Sequence, residues 1–165
     1  MGGENVVNSA FVGTTFSIFK YGTLLVENRY GFICQTFKYN GYVACRLSTN
    51  EGSTWSELEW NNPPMALGTE YRTTERHEGK PVYTKFVNFG ALPNASTGYL
   101  NNALPINAYA FSIEGFVNTS AGYAHRLDPL VDNLWSATGY GYIGITTSKD
   151  MSGYDAYLKL KYTKE

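Results

Sequence analysis

An all-β architecture is expected for this chain of 165 residues, a small antiparallel β module followed by a β-sandwich. Three observations lead there. Apolar side chains recur at every second position in segment after segment, the period of a half-buried strand, and no segment carries a helical period. The composition favours strands and tight turns, with 14 Tyr, 9 Phe, 3 Trp and 17 Gly against only 16% charged residues. Finally, Asn40-Gly41 separates two alternating runs, a strong short-range signal for a two-residue hairpin.

In chain order, TTFSIFK (14–20), YGFICQTFK (30–38), YVACRLS (42–48) and TWSELEW (54–60) read as strands. A two-residue turn at Asn40-Gly41 sets Tyr39 opposite Tyr42 and Thr36 opposite Cys45. Cys34 then shares a face with Cys45 but lies diagonal to it, at about 7 to 8 Å. That separation is too wide for a disulfide, so two reduced, buried thiols are expected. The TNEGS turn adds TWSELEW as the third strand of a meander. Asn61-Asn62-Pro63-Pro64 ends the sheet, because Pro has no N–H to give a ladder.

TEYRTTERHEGK (69–80) is the most charged stretch and reads as an exposed connector, which divides the chain into modules 1–66 and 67–165. Beyond it, PVYTKFVNF (81–89), YAFSIEGFV (109–117), LWSAT (134–138), YGYIGITTS (140–148) and YDAYLKLKYT (154–163) read as strands. The last alternates most clearly. Tyr154, Ala156, Leu158, Leu160 and Tyr162 point one way; Asp155, Tyr157, Lys159, Lys161 and Thr163 point to water, as in a sandwich. The segment 93–108, with Pro93, Pro105 and several Asn, reads as a long surface loop.

The balance of 13 basic and 14 acidic residues leaves no basic stripe, so nucleic acid is not an expected partner. No apolar run approaches the ~20 residues of a membrane span, so no membrane insertion is expected. The start, MGGENVVNSAFVG, lacks a basic n-region and an apolar signal core, and Met-Gly-Gly reads as an addition. The natural product is therefore expected to be longer.

STNEGSTW (48–55) resembles the Asp box of sialidase-like propellers, Ser-x-Asp-x-Gly-x-Thr-Trp, with Asn50 in place of Asp. Asn50 can accept an Asx-type bond, Gly52 suits a positive φ, and Trp55 can anchor the turn. These roles stabilise a hairpin and perform no chemistry. A propeller blade takes roughly 40 to 50 residues, which limits this length to about three blades and excludes a complete propeller.

Arg46, Arg72, Arg76 and Arg126 are too scattered to suggest the arginine cluster that sialidase chemistry needs. Glu57 and Glu59 alternate along one strand face at a separation within the roughly 5 to 9.5 Å of paired glycosidase acids. Such alternation more commonly marks a solvated face. His77 and His125 have no partner at ligand spacing, even with Asp128 and Asp132 near the second, so neither a metal nor a cofactor is expected. Asn94-Ala-Ser and Asn118-Thr-Ser match the glycosylation sequon by chance. No nucleophile elbow, P-loop or dinucleotide fingerprint is present.

Aromatic side chains are the better clue, because flat rings stack on sugars and on subunits alike. Trp55 and Trp60, five apart on one expected strand, should face opposite sides, one to the core and one to a ligand or interface. Tyr99, Tyr109, Tyr123, Tyr140, Tyr142 and Tyr157 lie in or near loops and strand ends. The glycan-binding candidates are Trp55, Trp60, Tyr99, Asn101, Asn102, Tyr123, His125 and Tyr140.

Within Trp60–Pro93, Gly68–Arg76 (GTEYRTTER), Gly79–Tyr83 (GKPVY) and the turn Gly90–Asn94 (GALPN) resemble a segment of phage and prophage tail proteins. The closing YDAYLKLKYTKE is similar to the last strand of that domain, and RLSTNEGSTWSELEW resembles the end of a pyocin-fibre knob module. After the Leu-Pro-Asn turn this chain has TGYLNNALP, where relatives often carry Ala-His-Gly. The resemblance implies a non-catalytic, receptor-binding part of a tail fibre at the virion tail tip, recognising bacterial surface polysaccharide and assembled as a homotrimer. Loops 94–108 and 118–140 would then set specificity, since loops vary over a rigid sheet. The alternatives are a carbohydrate-binding module or depolymerase fragment, and a purely structural fibre segment.

Overall fold

The computed structural model describes residues 22–119, 124–127, 133–137 and 141–165. Among them there is no helix. The chain divides into two compact units, Met1–Pro64 with Arg72–Thr74, and Met65–Tyr71 with Glu75–Glu165.

The first unit is a meander of β1 (Thr23–Arg29), β2 (Phe32–Tyr39), β3 (Tyr42–Ser48) and β4 (Glu59–Asn62), each antiparallel to the next. Strand β5 (Glu70–His77) adds a parallel bridge from Thr73 to Trp60. The β2–β3 hairpin has the expected register, Tyr39 opposite Tyr42 and Thr36 opposite Cys45. Asn40 and Gly41 both take positive φ, 47° and 84°, as the tight right-twisted turn demands.

One face of this meander is dry, with Gln35, Phe37, Ala44, Arg46, Ser48 and Trp60 all buried. The other face is open: Leu25, Phe32 and Leu47 are 49%, 55% and 44% exposed. Cys34 and Cys45 share that open face; neither is in a disulfide, and both are half-buried rather than buried as expected.

Two further expectations for this unit change. β1 was not anticipated, and the expected strand 54–60 shrinks to Glu59–Asn62. The turn itself explains the second change. Thr54 N–H donates to Asn50 Oδ1 at 2.9 Å, Ser56 N–H to the Leu47 carbonyl at 2.8 Å, and Leu47 N–H to Ser56 Oγ at 3.0 Å. Residues 54–58 therefore wrap the turn instead of extending a ladder. The expected strand 14–20 lies outside the described residues.

In the second unit, β5 leads through Glu78 and Gly79 (φ 50° and 78°) into β6 (Lys80–Ala91). The sheet continues with β12 (Tyr154–Lys164), β8 (Ala108–Thr119) and β9 (Ala124–Arg126), in the order β5-β6-β12-β8-β9. A smaller antiparallel sheet orders β10 (Asn133–Ala137), β11 (Tyr142–Thr146) and β7 (Thr97–Leu100). Val87, Leu158 and Leu160 of the larger sheet share one buried cluster with Ile143 and Ile145 of the smaller, which makes this unit a sandwich.

The charged stretch 69–80 is not a connector but mostly strand. Tyr71 and Thr73 alternate inward at 1% and 6% exposure, and Arg72 and Glu75 of the strand are paired. Arg72 reaches Glu57 at 2.7 Å and Glu59 at 2.9 Å, and Lys161 reaches Glu75 at 2.8 Å. The expected loop 93–108 likewise contains β7 and buries Ala103 and Leu104.

β12 alternates as expected, with Ala156, Leu158, Leu160 and Tyr162 fully buried. Its opposite face is less wet than expected. The register slips between Lys161 and Tyr162 and Thr163 becomes buried. Tyr157 also stacks with Phe86 and Phe116 at ring-centre distances of 6.1 and 5.5 Å.

Candidate functional site

The register of β6 against β12 places one cation on the core side of the sheet. Lys85 lies opposite Leu160 and Val87 opposite Leu158, so Lys85 shares a face with core side chains. It is half-buried, and its ammonium donates to the Ala103 carbonyl at 3.2 Å. Past Val87 the strand bulges. Gly90 takes φ 84°, and its N–H donates to Asn88 Oδ1 at 2.8 Å.

These residues line an open groove of about 380 Å³. β6 supplies Lys85, Val87 and Asn88, and the end of β7 with its following turn supplies Leu100, Asn101 and Asn102. Leu67 completes the wall, 54% exposed and bridged to Phe86, while Gly68 N–H donates to the Phe86 carbonyl at 2.7 Å. Asn102 holds φ 56°, a conformation that Asn tolerates better than most residues. Apolar floor and amide rim together suit a ligand with a hydrophobic ring face and many hydroxyls.

Of the expected glycan-binding residues, Asn101 and Asn102 come together in this groove, both exposed. Tyr99, 56% exposed, stands on β7 edge-on to Tyr142 at 5.6 Å. His125 is exposed on β9, opposite Val117. Trp55 is half-buried with the Arg46 guanidinium 4.1 Å over its ring, and Trp60, at 3% exposure, belongs to the core and offers no face to a ligand. Tyr123 and Tyr140 lie outside the described residues.

Sequence reasoning passed over Lys85, Asn88 and Leu67. The available signal was a lysine between Tyr83 and Val87 at strand spacing, but both faces of β6 are apolar and the pattern left its direction open. A second, apolar groove of about 350 Å³ lies beside the outer rings, lined by Met65, Phe86, Gly115 and Phe116 with Glu114 and Lys159. Among the described residues no group of three or more His, Cys, Asp or Glu could hold a metal, and no helix is long and apolar enough to cross a membrane.

No family model matches the chain, and no curated protein matches it. Among solved structures it is similar to a P. aeruginosa R1 pyocin fibre fragment comprising C-terminal residues 323–701. The identity is 14% and the TM-score 0.31, over 87% of this chain. The chain spans 57% of that fragment.

Proposed function

We propose that this chain is a non-catalytic, receptor-binding portion of a phage or prophage tail fibre, and that it recognises bacterial surface glycan through the groove of Asn88, Asn101 and Asn102. The observation that carries the reading is the make-up of that groove. Its β6 wall comes from the block 68–94 that resembles tail-fibre sequences, and its rim comes from the loop that follows. Amides of Asn satisfy sugar hydroxyls as donor and acceptor at once, and Leu67, Val87 and Leu100 offer an apolar floor. Weak single sites of this kind gain strength when several are presented together.

A homotrimer acting at the virion tail tip fits the open apolar face of Leu25, Phe32 and Leu47, which a sister chain would cover. The non-catalytic part of the reading is supported by Glu57 and Glu59, both of which are engaged by Arg72.

A fluorescent fusion of the chain, incubated with a panel of gut bacteria and soluble glycan competitors, tests the proposal. Cell binding that Asn101→Ala with Asn102→Ala abolishes, in a variant that keeps the wild-type circular dichroism, is the expected result. No binding to any strain would overturn it. Reducing ends released from capsule and lost in Glu57→Gln or Glu59→Gln would show a depolymerase instead.

A further inference from the structure

We infer that the groove takes an anionic sugar, one bearing a carboxylate or a phosphate, with Lys85 as the residue that selects the charge. This rests on the glycan-binding reading of the groove. A lysine on the core side of a strand is unusual, because a desolvated ammonium needs compensation. The ordinary compensation is a carboxylate. Among the described residues the Lys85 ammonium has instead one hydrogen bond, to the Ala103 carbonyl at 3.2 Å, which turns its head toward the groove wall. An ammonium has three donors, so two remain for a ligand.

The rest of the lining agrees. Its polar side chains are Lys85, Asn88, Asn101 and Asn102, and among the described residues that line it there is no carboxylate to repel an anion. Amides alone would serve a neutral sugar. The added cation on a wall that is otherwise uncharged discriminates in favour of negative charge, and does so most strongly where water is partly excluded.

The experiment uses the full chain and three probes: oligogalacturonate, its carboxyl-reduced counterpart, and that reduced oligosaccharide phosphorylated on its primary hydroxyls. Calorimetry at low and high salt, alongside the cell-binding assay, gives the readout. The expected result is that one or both anionic probes bind at least about tenfold tighter than the carboxyl-reduced one. The gap should narrow as salt rises. Lys85→Met, which keeps the stem, should close the gap, and Lys85→Arg should keep it. Which anionic probe binds identifies carboxylate or phosphate as the source of the charge.

Equal binding of charged and reduced probes overturns the inference, as does an unchanged preference in Lys85→Met. Binding to cells but to neither anionic probe also overturns it, and leaves the proposed function standing. Binding to neither probes nor cells removes both. The wild-type comparison between probes decides the matter even where a Lys85 variant fails to fold.

Discussion

The guanidinium of Arg46 lies 4.1 Å from the centre of the Trp55 ring and gives two N–H groups to Gln35 Oε1, at 2.8 and 2.6 Å. One side chain on β3 thus joins β2 to the Asx turn that follows β3. Burial pulls the guanidinium's pKa below its ordinary value. Arginine's ordinary value lies so far above neutrality that the charge persists at pH 7.

Removing that junction should be costly. Arg46→Met takes two donors from the buried Gln35 oxygen, a loss of about 1–3 kcal/mol. It also removes a cation–π contact of about 0.5–2 kcal/mol. Urea unfolding is expected to show a lower midpoint with an unchanged slope. A midpoint equal to wild type would mean that the cluster contributes nothing to stability.

The Asx turn should tolerate its consensus residue but not the loss of its acceptor. Asn50 Oδ1 accepts from Thr54 N–H at 2.9 Å and from Ser48 Oγ at 3.0 Å, while Nδ2 donates to Thr54 Oγ1 at 2.9 Å. A carboxylate keeps the acceptor role, and Thr54 can reverse its hydroxyl to donate. Asn50→Asp is therefore expected to be near neutral, and Asn50→Ala to cost about 1 kcal/mol. Thermal melts of the pair check this, and equal losses in both would contradict the acceptor role.

Gly115 should be intolerant of even one methyl group. A Cβ built there meets Leu127 Cδ2 at 2.6 Å and Leu158 Cδ2 at 2.8 Å, and both leucines are fully buried. Overpacking of this sort costs about 1–3 kcal/mol, so Gly115→Ala should lower Tm by several degrees. Unchanged stability would require Leu127 to rotate away at no cost.

Tyr162 predicts an alkaline limit. Burial first, then the hydrogen bond to Glu70 and the negative charges of Glu70 and Tyr83, push its phenol well above the ordinary value. A pKa raised on folding contributes stability that is fully present below the unfolded value of about 10 and is lost as pH rises through the folded one. Stability should therefore fall above about pH 10, and Tyr162→Phe should flatten that fall. At neutral pH the variant should lose about 0.5–1.5 kcal/mol for the missing hydrogen bond. Denaturation midpoints from pH 8 to 11 give the comparison, and parallel curves for the two proteins would refute the assignment.

What the sequence made legible was local. Asn40-Gly41 set the β2–β3 register, and the last strand's alternation was visible because its buried face is uniformly apolar. Two features depended on distant partners and a third on the geometry of a local turn. The charges of β5 look like a solvated linker until Glu57, Glu59 and Lys161 are seen to neutralise them. β7 is short and polar and becomes a strand only against Tyr142–Thr146. Trp60 and Trp55 could not be assigned to core and surface by spacing, because residues 54–58 leave the strand geometry on which that spacing relied. In the candidate site, Asn101 and Asn102 stood out as paired amides in a loop, whereas Lys85 required the register to show which way it points.

The two reduced cysteines of the first unit make its open face chemically readable. Cys34 and Cys45 stand half-accessible among Leu25, Phe32 and Leu47, and neither is consumed in a disulfide. A maleimide added to isolated chains should therefore label both, and if the proposed homotrimer forms, one added after assembly should label only what the neighbouring chains leave uncovered. The ratio of the two mass shifts would be a footprint of assembly already written into the natural sequence, with no engineered cysteine required.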